Sequence, residues 1–130
     1  LSFSGTRFAG SFQATVARFQ SLTTLLASSS AVTGTLPVEL FSIGTLQYLS
    51  VSANAITGTL PSDMSTASSL RELDLGANQI SGTLPSTLGS LPLEVLSLHG
   101  NRLTGTLPPE VGNATQLWRV WLNDNMLSGS

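Results

Sequence analysis

Charged, polar and aromatic residues that could bind a partner recur at regular intervals in the second half of the chain. They are Glu72, Asp74, His99, Arg119, Trp121, Asn123 and Asp124, with Tyr48 at the margin of the set. Carboxylates and a guanidinium can bind oppositely charged groups, and an indole offers a flat apolar face. Tyr, Trp and Arg are also the residue types that most often anchor protein interfaces. The set therefore predicts a binding surface if the fold brings these side chains to one face.

The same region offers residues for catalysis or metal binding, but their spacing argues against both. A nucleophile and its base need a direct hydrogen bond, whereas Ser97 and His99 are two positions apart on an extended strand, about 7 Å. An open sheet also provides no closed, dry pocket. Glu72, Asp74 and His99 could bind a metal, but three ligands on an open sheet are a weak signal. We therefore expect no enzymatic activity, no metal and no cofactor, and we interpret His99 as a polar surface residue.

A repeat of 23 or 24 residues determines where these side chains lie. It is clearest in residues 70–90, LRELDLGANQISGTLPSTLGS, where leucines with the spacing LxxLxL precede Asn78, Gly82 and Pro85. Similar copies lie on both sides, and a weaker copy with several phenylalanines opens the chain. The expected repeats, within a single domain over 1–130, are 1–21, 22–45, 46–69, 70–92, 93–116 and 117–130. A fixed period of this length predicts a solenoid of stacked units.

Each unit should begin with a short strand whose side chains alternate between two faces. Leu73 and Leu75 are expected to point into the core, and Glu72, Asp74 and Gly76 to point outward. Stacked units would then form a parallel sheet on which the outward residues of neighbouring repeats lie side by side. The polar stretch after each GTLP segment is predicted to be a 3₁₀ or single-turn helix.

Two columns of repeated residues are predicted to support the turns between strands. Amide side chains at one position can bond interior backbone groups of neighbouring repeats. They are Asn54, Asn78, Asn101 and Asn125, with Thr6 and Ser30 in the first two copies. A glycine column suits a crowded second strand. It comprises Gly10, Gly34, Gly58, Gly82, Gly105 and Gly129.

The pattern LxxLxLxxNxITGTLPxxLGxL resembles the plant-type leucine-rich repeat, which carries an SGxIP segment and is found in receptor-kinase ectodomains and polygalacturonase-inhibiting proteins. Its GTLP spelling also resembles repeats in surface antigens of protozoan parasites. The resemblance implies an α/β leucine-rich-repeat solenoid, a right-handed horseshoe with a concave parallel sheet. It also implies a non-catalytic recognition module at the cell surface or outside the cell. Plant ectodomains usually have cysteine-containing caps, and this chain contains no cysteine.

Composition narrows the classes of partner. Charged residues make up 9% of the chain and the net charge is −2, so the basic surface needed for nucleic acid is missing. No apolar run approaches the length of a membrane span. We therefore expect a protein, peptide or glycan partner, with no nucleic-acid binding and no direct membrane insertion of this segment. Because the chain begins without Met and ends within a repeat, we expect it to be part of a longer protein.

Two alternative functions fit other features of the sequence. Threonine and serine alternate with the glycine column and could form two columns, resembling the TxT arrays of ice-binding proteins. The first is Ala9, Thr33, Thr57, Ser81, Thr104 and Ser128, and the second is Ser11, Thr35, Thr59, Thr83 and Thr106. Such columns would be about 7 Å apart along each strand and roughly 5 Å apart between strands. An intracellular scaffold is the other alternative, favoured by the absence of cysteine.

Asn113, Ala114 and Thr115 form an acceptor sequence for N-glycosylation. The sequence places them after two prolines, on the convex side of the expected solenoid. A glycan at Asn113 would favour the secretory route over the intracellular alternative.

Overall fold

The computed structural model describes residues 19–129, which contain ten short strands and three 3₁₀ helices. The strands are β1 (Thr24–Leu26), β2 (Thr33–Thr35), β3 (Tyr48–Ser50), β4 (Ala55–Thr57), β5 (Glu72–Asp74), β6 (Ser81–Thr83), β7 (Val95–Ser97), β8 (Arg102–Gly105), β9 (Arg119–Trp121) and β10 (Met126–Leu127). The 3₁₀ helices are Val38–Ser42, Ser86–Ser90 and Pro109–Asn113. Most of the expected opening repeat, 1–21, lies outside the described residues.

One parallel sheet extends through all the described repeats, in the order β1-β3-β5-β7-β9. Its central residues are direct register partners, namely Leu25, Leu49, Leu73, Leu96 and Val120. Partners are one repeat apart, so the strands stack without slipping. The side chains of Leu49, Leu73 and Leu96 are fully buried. The alternation predicted from the sequence is therefore confirmed, and so is the leucine-rich-repeat fold class.

The predicted asparagine ladder is present and supports the turn after each strand of this sheet. Asn78 accepts a hydrogen bond from the Ile56 backbone N–H at 3.0 Å and donates to the Val51, Leu75 and Gly76 carbonyls. The asparagines of the other repeats make the same pattern of bonds; they are Asn54, Asn101 and Asn125. Because the amide joins two repeats, the ladder satisfies backbone groups and also fixes how the repeats stack.

A second ladder of parallel strands lies beyond these turns. β2 pairs with β4, β6 pairs with β8 and β8 with β10, and a bridge between Thr59 and Ser81 joins the two groups. The glycines of this ladder have positive φ, for example +83° at Gly58 and +82° at Gly82, which favours glycine. A Cβ at Gly58 would also lie 2.8 Å from the Thr35 methyl carbon. The glycine column is therefore required by backbone conformation and by close packing.

Short 3₁₀ helices cover the opposite side of the core in three of the repeats. In the repeat between β4 and β5 the corresponding chain is irregular, and Asp63 accepts hydrogen bonds from the hydroxyl and the backbone N–H of Ser65. These bonds lower the pKa of the Asp63 carboxyl, because they favour its charged form. Within residues 19–129 no helix is long and apolar enough to cross a membrane.

Candidate functional site

The concave sheet presents three rows of outward side chains. In the first row, Glu72, Val95 and Arg119 are neighbours, and Thr24 and Tyr48 precede them. In the second, Asp74, Ser97 and Trp121 are neighbours, after Leu26 and Ser50. The third row follows the strand ends at Gly76, His99 and Asn123, whose backbone carbonyls accept hydrogen bonds from N–H groups of the preceding repeat. Residues far apart in sequence thus meet on three adjacent strands.

A shallow depression of about 420 Å³ lies where these rows cross β5, β7 and β9. Its lining is Glu72, Asp74, Val95, Ser97, His99, Trp121 and Asn123. Five of these residues belong to the predicted binding set, whereas Tyr48, Arg119 and Asp124 do not line the depression. Val95 and Ser97 were left out of the predicted binding set because they carry neither a charge nor an aromatic ring, although strand alternation places both of them on the outward face.

The expectation that Ser97 and His99 lie too far apart for a hydrogen bond is wrong. The Ser97 Oγ and His99 Nδ1 atoms are 3.0 Å apart. The chain leaves β7 after Ser97, so the extended spacing no longer applies, and the imidazole lies above Gly76 on the neighbouring repeat. A Cβ at Gly76 would be 2.2 Å from His99 Cε1. Gly76 is consequently buried rather than exposed, and its missing side chain is what makes room for the ring.

The Ser97–His99 contact does not amount to a catalytic arrangement. Ser97 is only 4% exposed, so its hydroxyl has little access to a substrate. The oxygens of Asp74 accept bonds from other groups, the Ser50 hydroxyl at 3.0 Å and the Gly76 N–H at 3.1 Å. Across residues 19–129 there is no group of three acidic, histidine or cysteine side chains placed to hold a metal ion.

The side chain of Asp74 is held in place by serines that the sequence analysis did not single out. The Ser50 hydroxyl donates to Asp74 Oδ2 and also lies 2.8 Å from the Ser28 hydroxyl, which accepts a bond from Ser52. This chain of hydroxyls runs from the turn after β1, through β3, to Asp74 on β5. It holds the Asp74 carboxylate in one orientation at the edge of the depression.

The aromatic end of the site is organised around Arg119. Its guanidinium carbon lies 4.3 Å from the centre of the Trp118 ring and 5.2 Å from that of Trp121. At such distances the cation is attracted to the electron-rich ring faces. Trp121 nevertheless remains 43% exposed, so part of its indole is available at the depression. On the same strand end, the Asn123 amide donates to Asp124 Oδ2 at 2.6 Å.

The two threonine columns expected from the sequence are not straight, because equivalent residues of neighbouring repeats are not register partners. Thr35 pairs with Thr57, Thr59 with Ser81, and Thr83 with Thr104, so each strand is displaced by two positions relative to the next. The displacement accompanies the positive-φ glycines, over which the threonine methyl groups of the preceding repeat pack. First-column hydroxyls donate within the stack, as Thr57 does to the Gly34 carbonyl at 3.4 Å. The straight array predicted for ice binding is therefore absent from the described residues.

The predicted glycosylation site lies on the other side of the solenoid. Asn113 is the last residue of the 3₁₀ helix Pro109–Asn113, and both Asn113 and Thr115 are exposed. The Thr115 backbone N–H donates to the Asn113 carbonyl, which fixes the turn without engaging either side chain. The side chains are therefore accessible, and glycosylation of Asn113 stays a prediction.

Stacked parallel strands, an asparagine ladder and a concave polar surface together define a leucine-rich-repeat solenoid. A family model described as Leucine Rich Repeat matches residues 45–67, 69–91 and 92–114, more than half of the chain. The chain therefore belongs to the leucine-rich repeat family. A search of curated proteins found no match.

Solved structures of plant receptors are similar to nearly the whole chain. The ectodomain of the receptor kinase GASSHO1/SCHENGEN3 from Arabidopsis thaliana, in complex with CASPARIAN STRIP INTEGRITY FACTOR 2, is 31% identical with a TM-score of 0.92, covering 98% of this chain and 15% of that one. The plant peptide hormone receptor RGFR1, in complex with RGF2, is 33% identical with a TM-score of 0.87. The match covers 91% of this chain and 19% of that one. The Arabidopsis receptor kinase HAESA, in complex with the peptide hormone IDA and the co-receptor SERK1, is 29% identical with a TM-score of 0.88, covering 95% and 22%. The chain thus spans less than a quarter of the length of each of these structures.

Proposed function

We propose that this chain is a non-catalytic recognition module that binds an extended peptide segment of a protein partner on its concave sheet. The observation that carries the proposal is the depression between β5, β7 and β9, where carboxylates, an imidazole and an indole meet on a rigid surface. Among the similar structures, HAESA was solved with the peptide hormone IDA and RGFR1 is a peptide hormone receptor, which favours a peptide over a glycan. We also propose that the repeats are of the plant type.

The physical basis of binding would be a surface that is already formed. The strands beneath the depression are held by buried leucines and by the asparagine ladder, and Asp74 is fixed by the serine hydroxyls. A preformed surface loses little conformational entropy on association, so more of the contact energy contributes to affinity. Trp121 is the expected anchor, because a partly exposed indole can bury a large apolar area.

Selection from a displayed peptide library tests this function. We expect the selection to yield peptides that bind the unmodified chain. Trp121→Ala should lower their affinity by about tenfold or more, since anchor residues contribute about 2 kcal/mol. Tyr48→Ala is the matched control, because Tyr48 is an exposed aromatic of the same sheet outside the depression. Affinities should be measured by calorimetry, with thermal unfolding to show that both variants fold.

The proposal fails if the selected peptides bind Trp121→Ala as tightly as the unmodified chain. It also fails if Trp121→Ala and Tyr48→Ala weaken binding equally, because the depression would then have no special role.

We further propose that the chain is extracellular and that Asn113 bears an N-linked glycan. The protein purified from its native source should lose mass on enzymatic removal of N-glycans, with the modified position mapped to Asn113. Asn113→Gln and Thr115→Ala, expressed in a secretory host, should each abolish the mass change, because both destroy the acceptor sequence at an exposed turn. An unmodified Asn113 in the native protein would instead favour the intracellular scaffold.

A further inference from the structure

We propose that the depression on the concave sheet binds an arginine side chain of the partner peptide. The inference rests on the proposed function and specifies the chemistry that the site recognises. Three features of the depression lead to it: a wall of carboxylates that no arginine of residues 19–129 pairs with, an apolar floor, and an exposed indole opposite the carboxylates.

The carboxylate wall is formed by β5. Glu72 and Asp74 are two positions apart on this strand, so both side chains project from the concave face. Neither has an ion-pair partner in the described part of the chain, where the salt bridge joins Arg71 and Glu94. The bonds that Asp74 accepts come from neutral donors, Ser50 and a backbone N–H. Its negative charge is therefore held in place but not neutralised.

Within residues 19–129, the arginines make their contacts away from this wall. Arg119 shares a row with Glu72, but Val95 lies between them and the two strands are about 10 Å apart. Its guanidinium stacks on the tryptophan rings instead. Arg102 belongs to β8 in the second ladder, and the chain contains no lysine. The two carboxylates thus have no arginine partner within residues 19–129 and can receive a cation from a bound peptide.

The remaining surfaces suit the rest of an arginine side chain. Half-buried Val95 on β7 offers apolar contact for the methylene stem. Trp121 on β9 faces the carboxylates across the depression, so a planar guanidinium could stack on the indole while its N–H groups donate to Glu72 and Asp74. Lysine would satisfy the charge but would lack the planar stacking and the paired donors. A volume near 420 Å³ is at the small end of the range for ligand pockets, about 300–1,000 Å³, and fits one long side chain.

Titration with single amino-acid amides, followed by NMR, tests the inference without knowledge of the natural partner. N-acetyl-arginine amide should shift the Trp121 indole N–H signal and the Glu72 and Ser97 amide signals, with a dissociation constant of roughly 1–10 mM. N-acetyl-citrulline amide has the same shape without the charge, and it should bind about tenfold more weakly. N-acetyl-lysine amide should fall between the two.

Matched variants distinguish the local effect of the carboxylate wall on binding from the effect of the protein's net charge. Glu72→Gln should lower the affinity for the arginine probe roughly fivefold, which corresponds to a loss of about 1 kcal/mol of charge attraction. Glu94→Gln removes the same charge from a residue that is paired with Arg71 outside the depression, and it should leave the affinity unchanged. Equal binding of the citrulline and arginine probes, or equal effects of the two variants, would overturn the inference.

The two proposals can fail separately. Peptides that depend on Trp121 but contain no arginine would refute the arginine site and leave peptide recognition standing. If no selected peptide depends on Trp121, peptide recognition fails, and the probe titration still decides whether the depression binds a guanidinium.

Discussion

Replacing Asn78 with alanine is expected to lower the free energy of unfolding by about 3 kcal/mol, because it removes four hydrogen bonds from the middle of the solenoid. The carbonyls of Val51 and Leu75 would keep a partner, since Asn54 and Asn101 also donate to them. The Ile56 N–H has no such substitute among the described residues. A buried donor without a partner costs about 1–3 kcal/mol on its own, and the lost amide bonds add to this.

Asn125→Ala is the control that tests this explanation. Asn125 makes equivalent bonds to Leu103, Leu98 and Leu122, but it is only partly buried, so water can replace the amide. We expect less than half the loss seen for Asn78→Ala in urea denaturation. Equal losses for the two variants would show that burial does not set the cost. A separate unfolding step in Asn78→Ala would be informative too, since a weakened interface between repeats uncouples the two halves of a solenoid.

The sequence was sufficient to predict the features that depend on period and alternation. Leu73 and Asn78 each recur at fixed offsets, and their roles follow from strand geometry and from the need to satisfy turn carbonyls. Glu72, Asp74 and Trp121 were assigned to one face by the same reasoning. Every copy of the repeat follows the same backbone path. The position of a residue within the repeat therefore determines where it lies in the fold.

Features that depend on the loss of regular geometry were not predictable in this way. The Ser97–His99 contact requires that the chain leave the strand after Ser97 and that Gly76, one repeat earlier, lack a side chain. The threonine columns were expected to be straight, and the positive φ at Gly58 and its equivalents displaces them by two positions. Stacking of Arg119 on the indoles depends on side-chain rotamers, which spacing alone does not specify.

Replacing Gly89 with alanine is expected to destabilise the fold by about 3 kcal/mol through a clash with the backbone of the next repeat. A Cβ at Gly89 would lie 1.9 Å from the Glu110 carbonyl oxygen and 2.4 Å from its carbon. A side-chain neighbour could rotate away, but these atoms belong to the 3₁₀ helix Pro109–Asn113, so the two helices would have to separate. Gly112 occupies the same position one repeat later, where a Cβ would meet no atom of the described repeats within 4 Å. Gly112→Ala should therefore change stability by less than about 0.5 kcal/mol.

The same pair of variants tests whether helix packing on the convex side of the solenoid affects binding at the candidate site. The helix Ser86–Ser90 leads into β7, which carries Val95 and Ser97, and the helix Pro109–Asn113 leads into β9, which carries Trp121. Separating the helices should therefore tilt the two strands that form the floor and one wall of the depression. At temperatures where Gly89→Ala is still folded, we expect weaker peptide binding than for Gly112→Ala, with no contact residue changed. If Gly89→Ala loses stability but binds as tightly as Gly112→Ala, the helix packing and the depression are independent.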